Sequence, residues 1–287
     1  MTMAASHSPW TVRPLNDSER QGALAFLDRE HELNIYLAAR ISELGLTQAA
    51  PAIVVSHGQT TVAVASASPN LAVAVDPDLR LADLQVVSSL IAGEVLARST
   101  YLRAIISPAL VVESLWNVLK EHYDPPTVVR LSQPVYLLDR FDSAAGLREV
   151  RHSRTDHLDL LVPACAAMHR EEIGIDPMER DAFGYRQRVR DLVEQKRSFV
   201  MLEKGEIAFK CEISAETSRA VQLMGVWTAP PLRGRGYARR GLTEVCSHII
   251  RGGRTVTLFV NDFNQPARLL YENLGFRQIG ENRALIW

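Results

Sequence analysis

Cysteine is scarce: Cys165, Cys211 and Cys246 are the only three in 287 residues. No two have the close spacing of a zinc knuckle or a dithiol redox motif. Neither a bound metal nor a disulfide framework is expected, and all three read as small buried hydrophobes in a reducing compartment. Net charge is almost absent as well. With 32 basic and 33 acidic residues the formal charge is −1, which removes a global attraction to nucleic acid or to an anionic membrane. No stretch is apolar long enough to cross a bilayer, and Met1 to Trp10 lacks a basic segment followed by an apolar run. A cytoplasmic chain is expected, with no membrane partner. Low-complexity tracts and short-period repeats are missing too. What is present is a globular balance, 47% hydrophobic and 23% charged, enough for one large core or two smaller ones.

Periodicity divides the chain into mixed α and β halves. Leu33, Tyr36, Leu37, Ile41 and Leu44 recur at helical spacing, and Ile53-Val54-Val55 begins a strand. Thr61 to Ala65 and Leu71 to Val75, separated by Ser66-Ala67-Ser68-Pro69-Asn70, predict a hairpin. Leu84 to Leu96 and Val111 to Lys120 read as helices, with a strand at Arg103 to Ile106 between them. Small and polar residues cluster at Phe141-Asp142-Ser143-Ala144-Ala145-Gly146, and a domain boundary is expected there, separating 1–143 from 144–287. Beyond a short strand at Leu147 to Val150 come helices over His157 to Glu172 and Met178 to Gln195, parted by Gly174-Ile175-Asp176-Pro177. Three strands follow, Ser198 to Leu202, Glu206 to Ile213 and Ala220 to Thr228, patterned as an antiparallel meander. The order then becomes helix (Gly236 to Ile250), strand (Val256 to Val260), helix (Pro266 to Asn273) and a final pair of strands ending at Trp287. Both halves are α/β and similar in length, which permits a duplicated fold whose sequence likeness has been lost.

Two segments carry chemistry. In Gln222 to Ala238 a strand feeds the glycine-rich turn Arg233-Gly234-Arg235-Gly236-Tyr237-Ala238, which opens a helix. Unpaired N–H groups at the helix start, together with the positive end of its dipole, make an anion site. Gly234 and Gly236 let backbone approach a phosphate, and the arginines add positive charge. An ordinary glycine turn with solvated arginines is the plain alternative. A dinucleotide loop would need glycine where Arg239 stands, and a nucleic-acid patch would need more aromatics than Tyr237. In the second segment, Thr257 to Phe276, Asn264 suits a helix N-cap, Pro266 a first turn and Gly275 a C-cap. Asn264, Ala267 and Tyr271 fall near one face of that helix. Taken alone, Tyr271 reads as a core tyrosine.

As a pair, in this order and separation, the Arg-x-x-Gly-x-Gly/Ala turn and the Asn-x-x-Ala-x-x-x-Tyr-x-x-x-Gly-Phe helix resemble the two most recognisable motifs of GNAT N-acetyltransferases, over about the C-terminal half. Met168 to Pro177, Phe209-Lys210 and Gly225-Val226-Trp227 resemble more narrowly an actinobacterial-type group with an additional N-terminal domain of unknown function. Arg130-Leu131-Ser132-Gln133-Pro134 fits that arrangement. The resemblance implies an α/β mixed-sheet fold, with a C-terminal GNAT domain behind a mixed α/β domain that lacks the turn and leaves room for a degenerate GNAT-like fold. It implies acetyl-CoA as cofactor and a small-molecule or protein amine as acceptor, without nucleic acid, and is compatible with a homodimer. Backbone from Arg233 to Ala238 would hold the CoA pyrophosphate, and Val226, Trp227 and Thr228 would pair with pantetheine. Gly225 would mark a bulge, Asn264 would contact the pantetheine or phosphate portion, and Tyr271 would protonate the departing thiolate.

An amine is protonated at neutral pH, so a base or a water chain must take its proton. Many GNAT proteins carry a glutamate where Gln222 stands here, and glutamine is no base. Glu171, Glu172 and His169 at the end of the first C-domain helix are candidate replacements, and so is Glu212. Glu171 and Glu172, adjacent on a helix, cannot share one face.

Overall fold

The computed structural model describes residues 9–43, 52–66, 69–98, 100–141 and 147–287. The expected boundary at 143/144, residues 67 and 68 of the expected hairpin loop, and Leu44 of the first helical run lie outside the described residues. The chain forms two compact units, one of residues 1–134 with 280–287, the other of 135–279.

The first unit starts with strand β1 (Trp10–Pro14) and helices α1 (Arg20–Leu27) and α2 (Ile35–Glu43). Then come β2 (Ala52–His57), β3 (Thr60–Ser66), β4 (Asn70–Val75), α3 (Leu81–Ala97), β5 (Ala104–Pro108), α4 (Ala109–Leu119) and β6 (Val128–Leu138). β1 to β4 pair antiparallel in succession, whereas β4 and β5 run parallel. The expected pairing of residues 61–65 with 71–75 is present, in the register Ala63↔Val75 to Ser66↔Ala72. β2 and β4 are buried on both faces, because α3 and α4 cover one side and α1 and α2 the other. One cluster gathers Ile53, Val73, Val87, Ile91 and Leu115, and the other gathers Leu27, Ile41, Val54 and Val64.

The second unit runs β7 (Val150–His152), α5 (Leu158–Ile173), α6 (Pro177–Glu194), β8 (Ser198–Glu203), β9 (Glu206–Glu216), β10 (Ala220–Thr228), α7 (Tyr237–Arg251), β11 (Thr255–Phe259), α8 (Gln265–Asn273) and β12 (Arg277–Ile286). Local chemistry explains most of these bounds. Gly174 closes α5, and Asp176 caps α6 by accepting from the Met178 amide (2.8 Å) ahead of Pro177. α6 is interrupted at Asp181, whose backbone is extended and whose carboxylate accepts from the Gly184 amide (2.8 Å), starting the helix afresh. α7 and α8 pack one face of this sheet, and α5 and α6 the other. α7 comes close because Gly241 has no side chain: a Cβ there would meet the Phe209 ring at 2.4 Å.

Both units repeat one order, β-α-α-β-β-β-α-β-α-β, and among the described residues each has a parallel pairing at the same step, β4 with β5 and β10 with β11. The duplicated fold that the composition of the halves permits is therefore present in the topology. The closing strands are exchanged. In the first unit, Asn282 to Ile286 of β12 pair with β5; in the second, Val135 to Leu138 of β6 pair with β11.

Two expectations need correction. The final pair of strands is one strand, β12, because the chain continues straight through Gly280 to its partner β5 and makes no hairpin; a Cβ at Gly280 would lie 2.9 Å from Leu33 Cδ2. The strand expected at Leu147 to Val150 begins only at Val150. The amides of Arg148, Glu149 and Val150 donate to the buried Glu244 carboxylate of α7 (2.8, 3.1 and 2.9 Å), so this approach segment is held by a side chain and not by a ladder.

Candidate active site

The site lies in the second unit, where β10 and β11 part. Their parallel ladder holds only from Ala220↔Thr255 to Gln222↔Thr257. Beyond Gln222 the pairing of β10 with β9 also slips, between Met224↔Glu212 and Trp227↔Lys210. Gly225 sits in that slip with φ +59°, a left-handed conformation that favours glycine. Packing adds a second demand, since a Cβ on Gly225 would fall 1.8 Å from Glu212 Oε2. Past the bulge, Trp227 is buried and its indole donates to Glu171 Oε1 (3.3 Å), while the buried Thr228 hydroxyl has no hydrogen-bond partner among the described residues.

After β10, a short 3-10 turn (Pro230–Leu232) leads to Gly234 (φ +73°) and Gly236 (φ +81°), and α7 begins at Tyr237. Gly236 stands at the cap position and brings no side chain, so the first amides of α7 are left for an outside acceptor. A Cβ at Gly234 or Gly236 would meet nothing within 4 Å. Backbone conformation, not crowding, requires glycine there, and the space over the turn is open. Arg235 and Arg239 are exposed beside it. Arg240 stacks over the Tyr237 ring, 4.5 Å from its centroid. Arg233 is directed elsewhere: its guanidinium donates to Glu171 Oε2 (2.6 Å) and to the Thr228 carbonyl (3.1 Å).

Tyr271 projects from α8 and is 5% exposed. Burial pushes its pKa upward, and the negative charge of Glu172 adds to the shift, so the phenol keeps its proton. Its ring lies against Tyr136 and Phe276, at centroid distances of 6.1 and 5.8 Å. Asn264 caps α8 by accepting from the Ala267 amide (3.3 Å), which leaves its amide NH2 group for a ligand.

The sequence candidates thus separate. The charge of Glu172 adds to the upward shift that burial gives the Tyr271 pKa, whereas Glu171, one residue earlier, ties α5 to Trp227 and to Arg233. His169 sets its ring edge-on to Tyr185, at 6.2 Å. Gln222 is buried and accepts from the Ser214 hydroxyl (3.0 Å). Glu212 is buried and paired with Lys210 (2.6 Å). Sequence reasoning assigned Lys210 no chemistry, although a signal was there: Lys210 and Glu212, two residues apart in one strand, must point to one face. Tyr136 had no such signal. It comes from β6, 135 residues before Tyr271 (271 − 136 = 135), and its hydroxyl donates to Glu272 Oε1 (2.8 Å).

Two family models match. One, described as FR47-like protein, covers residues 206–285, and the other, a domain of unknown function (DUF4081), covers residues 53–161. The C-terminal part of the chain is thus similar to an FR47-like domain, and a domain of unknown function is matched ahead of it. Solved structures share the GNAT fold across almost the whole chain. A GCN5-related N-acetyltransferase from Sphaerobacter thermophilus is 19% identical with a TM-score of 0.60, over 98% of this chain and 96% of that one. A GNAT-family acetyltransferase from Colwellia psychrerythraea is 15% identical with a TM-score of 0.54, over 96% of this chain and 100% of that one. A tandem GNAT protein from the clavulanic acid biosynthesis pathway is 14% identical with a TM-score of 0.54, over 96% of this chain and 98% of that one. At this identity the likeness is one of fold. No curated protein sequence matches the chain. No helix among the described residues is long and apolar enough to cross a membrane.

Proposed function

We propose that this GNAT chain is an acyl-CoA-dependent N-acyltransferase, with acetyl-CoA as donor and a small-molecule or protein amine as acceptor, working in the cytoplasm. The observation that carries the reading is the opening of β10 from β11 beside a bulge and directly ahead of an uncapped helix start. The residues fit the cofactor at each point. Amides between Gly234 and Ala238 face open space and suit a diphosphate, with Arg235 and Arg239 alongside. Val226, Trp227 and Thr228 lie beyond the ladder to β11, so that edge is free to pair with an extended amide-bearing arm. The partnerless Thr228 hydroxyl and the free amide of Asn264 add polar contacts.

When bound, acetyl-CoA supplies an acyl group activated as a thioester. The bulge amide at Val226 donates to the carbonyl oxygen, where negative charge gathers as the neutral amine attacks. Tyr271, held protonated by burial and by Glu172, delivers its proton to the departing sulfur. With Gln222 bonded to Ser214 and Glu212 paired with Lys210, the amine's proton leaves through Glu172 or through water.

Release of free thiol from acetyl-CoA over a broad amine panel tests this. Tyr271→Phe should lower kcat about 100-fold while CoA affinity stays within about threefold. Absence of both thiol release and CoA binding overturns the reading. A second reading, a CoA sensor without turnover, is favoured by Gln222 standing where a carboxylate base is common in this superfamily. Calorimetric CoA binding by a protein that transfers no acyl group would select it.

A further inference from the structure

Beneath the bulge lies a cluster that the mechanism above does not use. Lys210 and Glu212 project from one face of β9 toward α5, and both are buried. Lys210 Nζ donates to Glu212 Oε1 (2.6 Å), to the Gly225 carbonyl (3.0 Å) and to Met168 Sδ (3.5 Å). Cys165 Sγ donates to the same Glu212 oxygen (3.4 Å). Burial is the largest influence and opposes the ammonium, but Glu212, Cys165 and Tyr185 together outweigh it and the net shift of the Lys210 pKa is upward. Cys165 is pushed up to about 12, chiefly by burial, and stays a thiol.

A buried ion pair of this kind is weak evidence for stability, since desolvation consumes most of the attraction. Its position is more informative. The Gly225 carbonyl lies in the slip where the β9 ladder gives it no partner, and Lys210 holds it instead. The peptide bonds are trans, so the Val226 N–H points opposite to the Gly225 C=O, away from Lys210 Nζ.

We propose that Lys210 and Glu212 are positioning residues for acyl transfer: by fixing the Gly225 carbonyl they aim the Val226 amide at the thioester carbonyl of the donor. Glu212 keeps Lys210 charged and centred, and it fills the space that a side chain at position 225 would need. The proposal rests on the acyltransferase reading and adds to it the part of the chain that orients the carbonyl-polarising donor.

The test is the infrared carbonyl stretch of bound acetyl-CoA, isotope-labelled at the thioester carbon, which needs no knowledge of the acceptor. In the wild-type protein a hydrogen bond from Val226 should lower the stretch relative to free acetyl-CoA. In Lys210→Met/Glu212→Met, an apolar replacement of the pair, melting temperature should hold or rise. CoA affinity should stay within about threefold, while the stretch returns to its free value. With an accepted amine, kcat should fall about 100-fold at an unchanged acetyl-CoA KM. An equal displacement of the stretch in both proteins overturns the proposal, because a purely structural pair would leave it unmoved. If the double variant does not fold, a structure of the wild-type complex decides. Val226 N within about 3.2 Å of the thioester oxygen upholds the proposal, and a separation beyond hydrogen-bond reach overturns it. A wild-type protein that binds no acetyl-CoA defeats the acyltransferase reading itself, and this inference with it.

Discussion

The two units fold the same element order and part company at one place, the end of the fourth strand. In the second unit, β10 carries a bulge at Gly225 and runs into a turn with left-handed glycines at 234 and 236, flanked by Arg233, Arg235, Arg239 and Arg240. In the first, β4 pairs with β3 without a slip and passes into Asp76-Pro77-Asp78-Leu79-Arg80. No residue from Leu71 to Leu84 has a positive φ. The amide of Val73 is met by the buried Ser107 hydroxyl of β5 (2.9 Å), so a donor free to reach outward in one unit is satisfied internally in the other. Asp76, Asp78 and Asp83 stand near the start of α3, where an arriving phosphate would meet like charge, and Pro77 removes an N–H. One fold is therefore opened at the end of its fourth strand in one unit and closed there in the other.

That contrast can be broken most severely at Gly225. Gly225→Val would force an L-residue into φ +59° and drive its Cβ into Glu212. Acyl transfer should fall about 100-fold or more with a lower melting temperature, and an unimpaired variant would show that the bulge is dispensable. Next is Gly236→Asp, which gives the second unit the acidic character of the first. Backbone strain and like-charge repulsion should weaken CoA binding about 30-fold by calorimetry, and less so in high salt.

Smaller still is Ser107→Ala, which leaves the buried Val73 amide unpaired and should cost about 1–2 kcal/mol in denaturant unfolding. CoA stoichiometry should remain one per chain before and after. A second equivalent in either protein would mean that the first unit is also a cofactor site.

The pKa of Tyr271 is raised above the ordinary tyrosine value of 10.0, so kcat should show no Tyr271-dependent descent below that pH. The pKa of His152 is lowered from 6.5, first by burial and then by His248. The unfolded chain therefore takes up this proton first, and stability that is intact above 6.5 is lost as pH falls below it. His152→Phe should make the fall in melting temperature between about pH 7 and 5 slightly shallower; an unchanged slope would remove His152 from the balance.

Much of the stretch from β10 to α8 was legible because its signals are local. A glycine that needs a left-handed turn, a proline in a first turn and an asparagine or aspartate at a cap act within a few residues, and α7, α8 and the start of α6 stand where those residues place them. The meander before the turn was legible from period-two patterning. The corrected elements share the opposite property. Glu244 takes three amides from a segment about 95 residues away, and β12 runs on through Gly280 to β5. Neither partner is visible in the segment it alters.

By itself, then, the sequence determined the glycine turn ahead of α7, the helix that carries Tyr271, and the absence of such a turn from the first half, all through backbone preferences that act over one or two turns of chain. Only the tertiary structure decided that the closing strands are exchanged, that Glu171 ties to Trp227 and Arg233, and that Lys210 grips the Gly225 carbonyl. Those outcomes depend on which side chains meet across strands and helices. Pairing of that kind is set by the topology of the whole sheet, because a charge or an amide is satisfied by whatever group packing brings within hydrogen-bond reach, however far away it lies in the chain.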